Sequence, residues 1–569
     1  MKYYQILFIR ILSIIFILTF LNVCNNNNAQ NQHDLVAEPE KMNQKISDHI
    51  KDQLMMALEK DGRINDSIKL SMIQTVNTFY QNNNFQNIWS NKENWVPQAD
   101  SLIRFIQLSK EYGLFPKDYH DVELQSMLQN FSADTLITGS RRDALLWSNA
   151  DLMLTDAFFR ISSHLHLGRL GIDSISMNPD SSLTDSFYHK NLNDVLAGKE
   201  MKEVFQAMEP KHKGYQILRS ALKSFLDSAN FKTAYTYVSY PYKDSVLFVK
   251  TLVKRLKEES VISWQAKSVD STELANAILK VQRKRKLKAD GKFGVQLIRT
   301  LNNNDQEKFK RIAINLDRYK KLPVKMPERF IWVNLPAFQL QLWDHDTLKL
   351  ESKVIVGKPA TRTPLLTSHI SDLVTFPQWT IPNSIILKEI LPALKRNPGY
   401  LYRKGFMLMT WKDEVIDPYT VNWAKYNKGI PYRIVQGSGD DNALGILKFN
   451  FPNKYSVYLH DTNQRYLFKN ESRALSHGCV RVQQWDKLAY YISGLDSMNF
   501  QNDSSRIQSD SIKVWLERKE KHKIPVKSKL PVYFRYFTTE VKKGKIIFYE
   551  DIYGEDKAAR EAYFQLNKF

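Results

Sequence analysis

The sequence predicts a multidomain α+β protein with a mainly helical N-terminal scaffold, a small helical module and a mainly β C-terminal domain that carries a lid-like insertion. Its 569 residues are too many for one core, and 43% hydrophobic and 12% aromatic residues can fill several. Apolar residues recur at helical spacing through the first half of the chain. From Glu328 onward, apolar and polar residues alternate in runs of strand length.

The N-terminus predicts export. Lys2 and Arg10 precede the mostly apolar run "ILSIIFILTFLNV", and polar residues follow, so we interpret residues 1–29 as a signal segment. The run is short for a bilayer span of about 20 residues, although an uncleaved membrane anchor stays open. Cys24 stands where bacterial lipoproteins carry a lipid-modified cysteine, and an incidental signal-peptide cysteine is the alternative. We expect a periplasmic or cell-envelope location.

The formal net charge of +21 favours an acidic partner, which could be nucleic acid, an anionic membrane surface or an acidic polymer. Export argues against nucleic acid, which we do not expect as a partner. No cofactor or metal is predicted, and the sequence does not specify an oligomeric state.

Two units are expected before the β domain. Residues 36–257 form the predicted helical scaffold. Residues 258–310 hold two short helical patterns around "ADGKFG", where Asp290, Gly291 and Gly294 can make a tight turn. This second unit resembles the peptidoglycan-binding domain found beside many cell-wall enzymes.

Residues 328–556 form the predicted β domain, which ends with a hairpin turning at "KKGK", and residues 557–569 form a C-terminal tail. Within the domain, residues 387–439 mix short helical signals with Pro, Gly and aromatic residues. We expect this insertion to cover a site, with Trp411, Tyr419 and Trp423 packing against a sugar-peptide.

The stretch "LSHGCVRV" contains Cys479, which would be the only thiol of a mature chain without Cys24. A cysteine attacks carbonyl groups as a thiolate, and few thiols are ionised at neutral pH without a base or a positive field. His477 is only two residues away, and direct pairing would strain the turn. His460 ends a predicted strand 19 residues upstream, so we predict that His460 is the general base and acid.

Glycine before the nucleophile permits a tight bend. The backbone N–H groups of His477, Gly478 and Cys479 are therefore predicted to converge as an oxyanion hole. Asp461 would be the third member of a triad, but neighbouring residues on a strand point to opposite faces. We therefore expect a backbone carbonyl near Asp461 to orient His460.

These motifs resemble the L,D-transpeptidases, in which a histidine is followed after a loop by [S/T]HGC. The stretch "ALGILKFNFPNKYSVYLHDTNQRYLF" is similar to the larger periplasmic branch of that family almost throughout, apart from Asn463, where a proline is common. The segment "PLLTSHISDLVTFPQWTIPNSI", the final hairpin and the helical scaffold extend the resemblance to most of the mature chain.

The resemblance implies an enzyme that acts on peptidoglycan stem peptides and is a target of carbapenems. Cys479 would form a thioester at the third stem residue with loss of the terminal D-alanine. An amine of a second stem would then accept the acyl group and give a 3→3 cross-link. Arg481 and Tyr458 are predicted to bind the substrate, since Arg481 should emerge on the same strand face as the thiol. A buried ion pair that holds the loop is the alternative for Arg481.

Four other interpretations remain open for this site. Water could resolve the thioester, which would make the protein an L,D-carboxypeptidase. His460, His477 and Cys479 are acceptable zinc ligands. A non-catalytic wall-binding scaffold would fit the positive charge, and an ordinary thiol protease would use the same cysteine and histidine.

Overall fold

The computed structural model describes residues 33–564 except 135–138, 174, 178–181, 234 and 501–508. The predicted signal segment 1–29 and Cys24 lie outside the described residues. Within the described residues, no helix is long and apolar enough to span a membrane.

The predicted helical N-terminal region is confirmed. Its central helix, Ala144–His166, is buried on almost every side, and its Asp143 N-cap accepts hydrogen bonds from the N–H groups of Leu145 and Leu146. The surrounding helices are Met42–Glu59, Ile73–Asn82, Pro97–Leu108, Asp121–Ser132, Asp185–Leu196, Met201–Met208 and Lys213–Ser228. Most of them place one apolar face against the central helix, which gives the region one continuous core.

The small module contains three helices, Ser245–Glu258, Ser271–Lys284 and Val295–Leu301, which share one core. The turn predicted between the last two helices is present, with Gly291 at φ +69° and its N–H donating to the Gln282 side chain at 2.9 Å. The predicted boundary between residues 257 and 258 assigned the first of these helices to the scaffold. Its apolar face packs on the module instead, so that boundary divides a packed unit.

The last helix of the described residues corrects the predicted tail over residues 557–564, while residues 565–569 lie outside the described part of the chain. Glu555–Tyr563 is helical and packs against the helix Asp305–Lys320, where Arg560 forms an ion pair with Glu307 at 2.7 Å. Phe564 is buried against helical-region residues. Polar sequence at a chain end predicts a tail, but this ion pair and the buried Phe564 anchor the segment.

The predicted β-rich C-terminal domain is also confirmed, and it is built on an eleven-stranded mixed sheet among the described residues. In spatial order its strands are Lys523–Pro525, Asp372–Thr375, Leu447–Asn450, Leu459–His460, Val480–Val482, Thr347–Gly357, Gln339–Asp344, Arg329–Asn334, Pro531–Arg535 and Leu366–His369, while Ala474–Ser476 pairs beside Thr347–Gly357. The helices Trp485–Asn499 and Ser509–Glu517 contribute to the same domain, and Leu488 and Ile512 enter its core. The hairpin Thr539–Lys542 and Lys545–Phe548 forms a separate two-stranded sheet.

The insertion is a subdomain with its own core. Its sheet contains Trp379–Thr380, Phe406–Met409, Val415–Ile416 and Arg433–Gln436, and its helical segment runs from Asn383 to Arg396, followed by Tyr400–Arg403. The predicted start at residue 387 is therefore too late, since the first strand of this sheet begins at Trp379. Long-range strand pairing, which no local pattern reveals, sets that boundary.

Candidate active site

Three polar side chains form a row across neighbouring strands of the large sheet. Lys448 pairs in register with His460, and His460 pairs in register with Arg481. Side chains directly opposite each other on adjacent strands lie on the same face. Cys479 stands two residues before Arg481 and therefore shares that face. The strand Leu459–His460 pairs in parallel with Val480–Val482, the strand that begins directly after Cys479, and this pairing places the two predicted residues on neighbouring strands.

Cys479 is half-buried, and its thiol lies 3.9 Å from the carbonyl oxygen of Ser456. Burial raises the pKa of the thiol, while hydrogen bonding from the backbone and side chain of Tyr458 and the charges of Lys448 and Arg481 act in the opposite direction. Burial is the larger effect, so the resting residue is a neutral thiol. Tyr458, Lys448 and Arg481 would nevertheless stabilise a negative charge on the sulfur.

His460 is almost completely buried, at 4% exposure. The pKa of its imidazole is lowered to about 3, mainly by burial and also by the positive charges of Arg481 and Lys448, against an opposing effect from backbone groups. The imidazole is therefore neutral at physiological pH and can accept a proton. A thiolate formed beside it would remove part of the penalty for that protonation.

Asp461 points away from His460, as the strand alternation predicts. Its buried carboxylate forms an ion pair with Arg465 at 2.7 Å and accepts a hydrogen bond from the N–H of Ile446 at 3.1 Å. The backbone of Asp461 and that of Leu444 act on the His460 ring. However, His460 Nδ1 forms no hydrogen bond of normal geometry with the described residues. The orienting role of this backbone stays a prediction.

The turn before Cys479 corrects one part of the predicted oxyanion hole. Gly478 has φ +124°, a conformation that favours glycine, and its N–H donates to Ser476 Oγ at 3.1 Å. Ser476 Oγ in turn donates to the carbonyl oxygen of Cys479 at 2.6 Å. The Gly478 N–H is therefore occupied by a neighbouring side chain. The N–H groups of His477 and Cys479 remain the predicted donors.

The requirement for glycine at position 478 comes from backbone conformation. A Cβ there would lie 3.6 Å from the carbonyl oxygen of Arg362, which is an ordinary contact. The positive φ is the cause that the structure supports.

His477 turns its side chain toward the insertion. His477 Nε2 lies 2.7 Å from Oε1 of Glu389, which lies in the middle of the insertion's helical segment. The zinc interpretation requires this imidazole to join His460 and Cys479. Across the described part of the chain, no group of three His, Cys, Asp or Glu side chains is arranged to hold a metal ion.

Arg481 is partly buried and carries a charge that no carboxylate balances at ion-pair distance among the described residues. Its Nη1 donates to Gln464 Oε1 at 3.0 Å, and its buried Nε has no partner in that part of the chain. Burial lowers the pKa of the guanidinium. This environment favours the substrate-binding interpretation over the ion-pair alternative.

The aromatic residues of the insertion divide into two groups. Trp411 and Tyr419 are exposed, at 73% and 62%, and are free to meet a large substrate. Trp423 is buried in the core of the insertion and its indole N–H donates to the carbonyl oxygen of Pro418 at 2.8 Å. The predicted substrate contact of Trp423 is therefore wrong, because the subdomain needs this ring for its own core.

Sequence reasoning missed Lys448 and Glu389. Lys448 lies inside the stretch quoted for the family resemblance and alternates with two buried apolar neighbours, Leu447 and Phe449, so strand periodicity could have placed it on the face of His460. Glu389 carries no such signal, because its contact with His477 spans 88 residues.

Comparison with known proteins agrees with this geometry. Residues 74–222 match the family model described as a Scaffold domain, and residues 328–496 match the L,D-transpeptidase catalytic domain. The second match contains both Cys479 and His460. The resemblance seen in the sequence is thereby confirmed, and the chain has the Scaffold and catalytic domains of the L,D-transpeptidase family.

A curated relative from Haemophilus influenzae, named "Putative L,D-transpeptidase", is 35% identical over 247 residues, which cover 43% of this chain and 48% of the relative. The match thus spans about half the length of that relative. A solved structure described as the Ldtfm–avibactam carbamoyl enzyme matches 56% of this chain and 98% of its own, at 11% identity and a TM-score of 0.16. At that score the likeness carries no argument about fold or site.

Proposed function

We propose that this protein is a peptidoglycan L,D-transpeptidase that joins stem peptides by 3→3 cross-links. The observation that carries the proposal is the shared strand face of Cys479 and His460 inside a domain that matches the L,D-transpeptidase catalytic model. A neutral thiol beside a neutral, buried imidazole can start acyl transfer by proton transfer between them.

In the first step, the Cys479 sulfur attacks the carbonyl carbon of the third stem residue while its proton passes to His460. Negative charge builds on the carbonyl oxygen, which the N–H groups of His477 and Cys479 are placed to receive in our proposal. The tetrahedral intermediate collapses with cleavage of the C–N bond. His460 returns its proton to the leaving amine, so D-alanine departs and a thioester remains.

In the second step, an amine of another stem attacks the thioester carbonyl. His460 accepts a proton from that amine, the C–S bond breaks, and the Cys479 thiolate recovers the proton. The product is an amide between two stems. Water in place of the amine would yield a trimmed stem, which is the carboxypeptidase alternative.

Substrate recognition is assigned to Arg481 and Tyr458. Stem peptides carry carboxylates, and a guanidinium without a carboxylate partner among the described residues can hold one with two parallel hydrogen bonds. Tyr458 lies beside His460, with ring centroids 5.7 Å apart, at the same face as the thiol. The substrate places the protein in the cell envelope, in agreement with the export signal predicted for residues 1–29.

The test is incubation of the purified full chain with a disaccharide-tetrapeptide, followed by mass spectrometry of the products. We expect cross-linked dimers and free D-alanine from the wild type and neither product from Cys479→Ser, since an alkoxide is much harder to form than a thiolate. Cys24→Ser is the matched control and should retain turnover. Trimmed monomers alone would establish the carboxypeptidase instead, and equal activity of Cys479→Ser would refute the assigned nucleophile.

A further inference from the structure

Lys448 is the charged residue of the active-site face that the proposed mechanism leaves unused. It stands opposite His460 on the adjacent strand, on the side away from Arg481. Two cationic side chains therefore flank the histidine. Among the described residues, neither cation has a carboxylate within ion-pair distance.

The Lys448 side chain is held against an aromatic ring. Its Nζ lies 3.9 Å from the centroid of the Tyr458 ring, the geometry of a cation–π contact. The carbonyl oxygen of the same tyrosine accepts a hydrogen bond from the N–H of Val480, the residue after Cys479, at 3.1 Å, and the tyrosine acts to lower the pKa of the thiol. Tyr458 thus connects the ammonium group to the nucleophile and limits the positions that the lysine can occupy.

We propose that Lys448 is a positioning residue for the nucleophile, whose ammonium group, held on the Tyr458 ring, stabilises the Cys479 thiolate. The inference rests on the proposed function in one respect, that Cys479 is the nucleophile. It adds a positively charged residue to the predicted pair of Cys479 and His460.

The other charged groups around Lys448 do not cancel its effect. Asp372, on the neighbouring strand, is the nearest acidic influence, but its carboxylate accepts hydrogen bonds from Asn450 at 2.6 Å and Ser371 at 2.8 Å. Burial lowers the pKa of the lysine, and the charges of Cys479 and Asp372 act in the opposite direction. The ammonium group therefore gains from a negative charge on the sulfur.

The groups facing the thiol from the remaining elements are His460, Tyr458 and Arg481. His460 is neutral at rest, and Arg481 adds a positive charge that interacts with Tyr466 and Cys479. On the insertion side, Glu389 is engaged by His477. The thiol is thus surrounded by two cations and neutral groups, a field that favours its ionised form.

The same field has a second consequence for His460. Positive charges beside the imidazole oppose its protonation, so a stable thiolate–imidazolium pair is not favoured at rest. Lys448 instead contributes when negative charge appears on sulfur, during attack and again when the thioester breaks. Its effect should therefore appear in the reactivity of the thiol even without substrate.

The experiment measures alkylation of Cys479 by iodoacetamide as a function of pH in the full chain, without peptidoglycan. Labelling is quantified in the tryptic peptide Ala474–Arg481, which excludes Cys24 from the signal. The variants are Lys448→Met, Lys448→Gln and Lys448→Arg. Lys454→Met is the matched control, because Lys454 Nζ lies 5.4 Å from the ring of exposed Tyr455, whereas the lysine that acts on the ionisation of the thiol is Lys448.

We expect Lys448→Met and Lys448→Gln to slow labelling at pH 7 by roughly three- to tenfold, as a rise of about one unit in the thiol pKa predicts. At high pH, where the thiol is ionised in every variant, the rates should converge. Lys448→Arg and Lys454→Met should stay within about twofold of wild type, because both keep the charge near the sulfur.

Three results would overturn the proposal. The first is an unchanged pH profile of the labelling rate in both neutral variants. If the KM for stem peptides rises in these variants while labelling is unchanged, Lys448 is a substrate contact instead. The second is equal slowing at all pH values, which indicates a structural defect. The third is slowing by Lys448→Arg as large as that by Lys448→Met. Because the labelling rates are measured without turnover, a failure of this proposal can be distinguished from a failure of the proposed function, which the Cys479→Ser product assay tests.

Discussion

His477 Nε2 lies 2.7 Å from Glu389 Oε1, so the residue two positions before Cys479 is joined directly to the insertion. The insertion has its own hydrophobic core, separate from that of the large sheet. We therefore expect the His477–Glu389 contact to hold the insertion over the thioester and to exclude water.

Glu389→Gln should raise hydrolysis relative to transfer, by about two- to fivefold, because a neutral amide binds His477 less strongly than a carboxylate does. The measurement is the ratio of trimmed monomers to cross-linked dimers by mass spectrometry. Glu414→Gln is the control, since Glu414 lies in the insertion and contacts Thr410 rather than the catalytic loop. An unchanged product ratio for Glu389→Gln would contradict a closing role.

The two histidines should differ in their effect on turnover. His460→Ala is expected to lower kcat by roughly 10²- to 10⁴-fold, the usual range for general acid–base catalysis. His477→Ala should cost about tenfold or less, because only its backbone N–H and its contact with Glu389 are assigned a role. Steady-state rates on the same donor and acceptor stems test this. Equal losses would favour a metal site or a different base.

The buried His460 should also make stability depend on pH. Its folded-state pKa is about 3, below the usual value of 6.5, so the unfolded chain binds more protons between these values. His460 therefore contributes stability above pH 6.5 that is lost as the pH falls toward 3, with a slope of up to about 1.4 kcal/mol per pH unit.

His460→Gln should flatten this acid limb in urea unfolding experiments between pH 6.5 and 4. His345→Gln is a suitable control, because that histidine is exposed. Parallel pH profiles for the wild type and His460→Gln would show that another group controls acid unfolding.

Arg481→Lys should weaken substrate use with little loss of stability. A lysine keeps the charge but loses the two-pronged geometry, so we expect kcat/KM to fall by about tenfold for a stem with a free carboxylate. A stem with that carboxylate amidated should be affected less. The thermal midpoint is the second measurement, and a large drop there, or equal harm to both stems, would favour a structural arginine.

A carbapenem should acylate Cys479, as the family resemblance implies. The strained β-lactam ring presents an activated carbonyl group to the same thiol and N–H donors. Intact-protein mass should rise by the mass of the drug in the wild type and stay unchanged in Cys479→Ser. A shift in both proteins would mean that labelling occurs elsewhere.

The pairing of Cys479 with His460 could be predicted from the sequence because local features carry it. The alternating strand before His460, the glycine before Cys479 and the short separation between the two residues all lie in one segment of the chain. The division into a helical region and a β-rich domain could also be predicted from local patterns, because apolar residues recur with different periods in helices and strands. Local patterns do not reveal which distant segments become neighbours.

Which groups surround Cys479 and His460 depends on the tertiary structure alone. Lys448 reaches the site because its strand pairs with that of His460, and Glu389 because the insertion folds back on the catalytic loop. Trp423 lies in the insertion's core and not on the predicted contact surface. The sequence by itself determined the candidate nucleophile, its candidate base and the class of fold, whereas strand neighbours, register and side-chain packing depend on long-range contacts that form only in the folded chain.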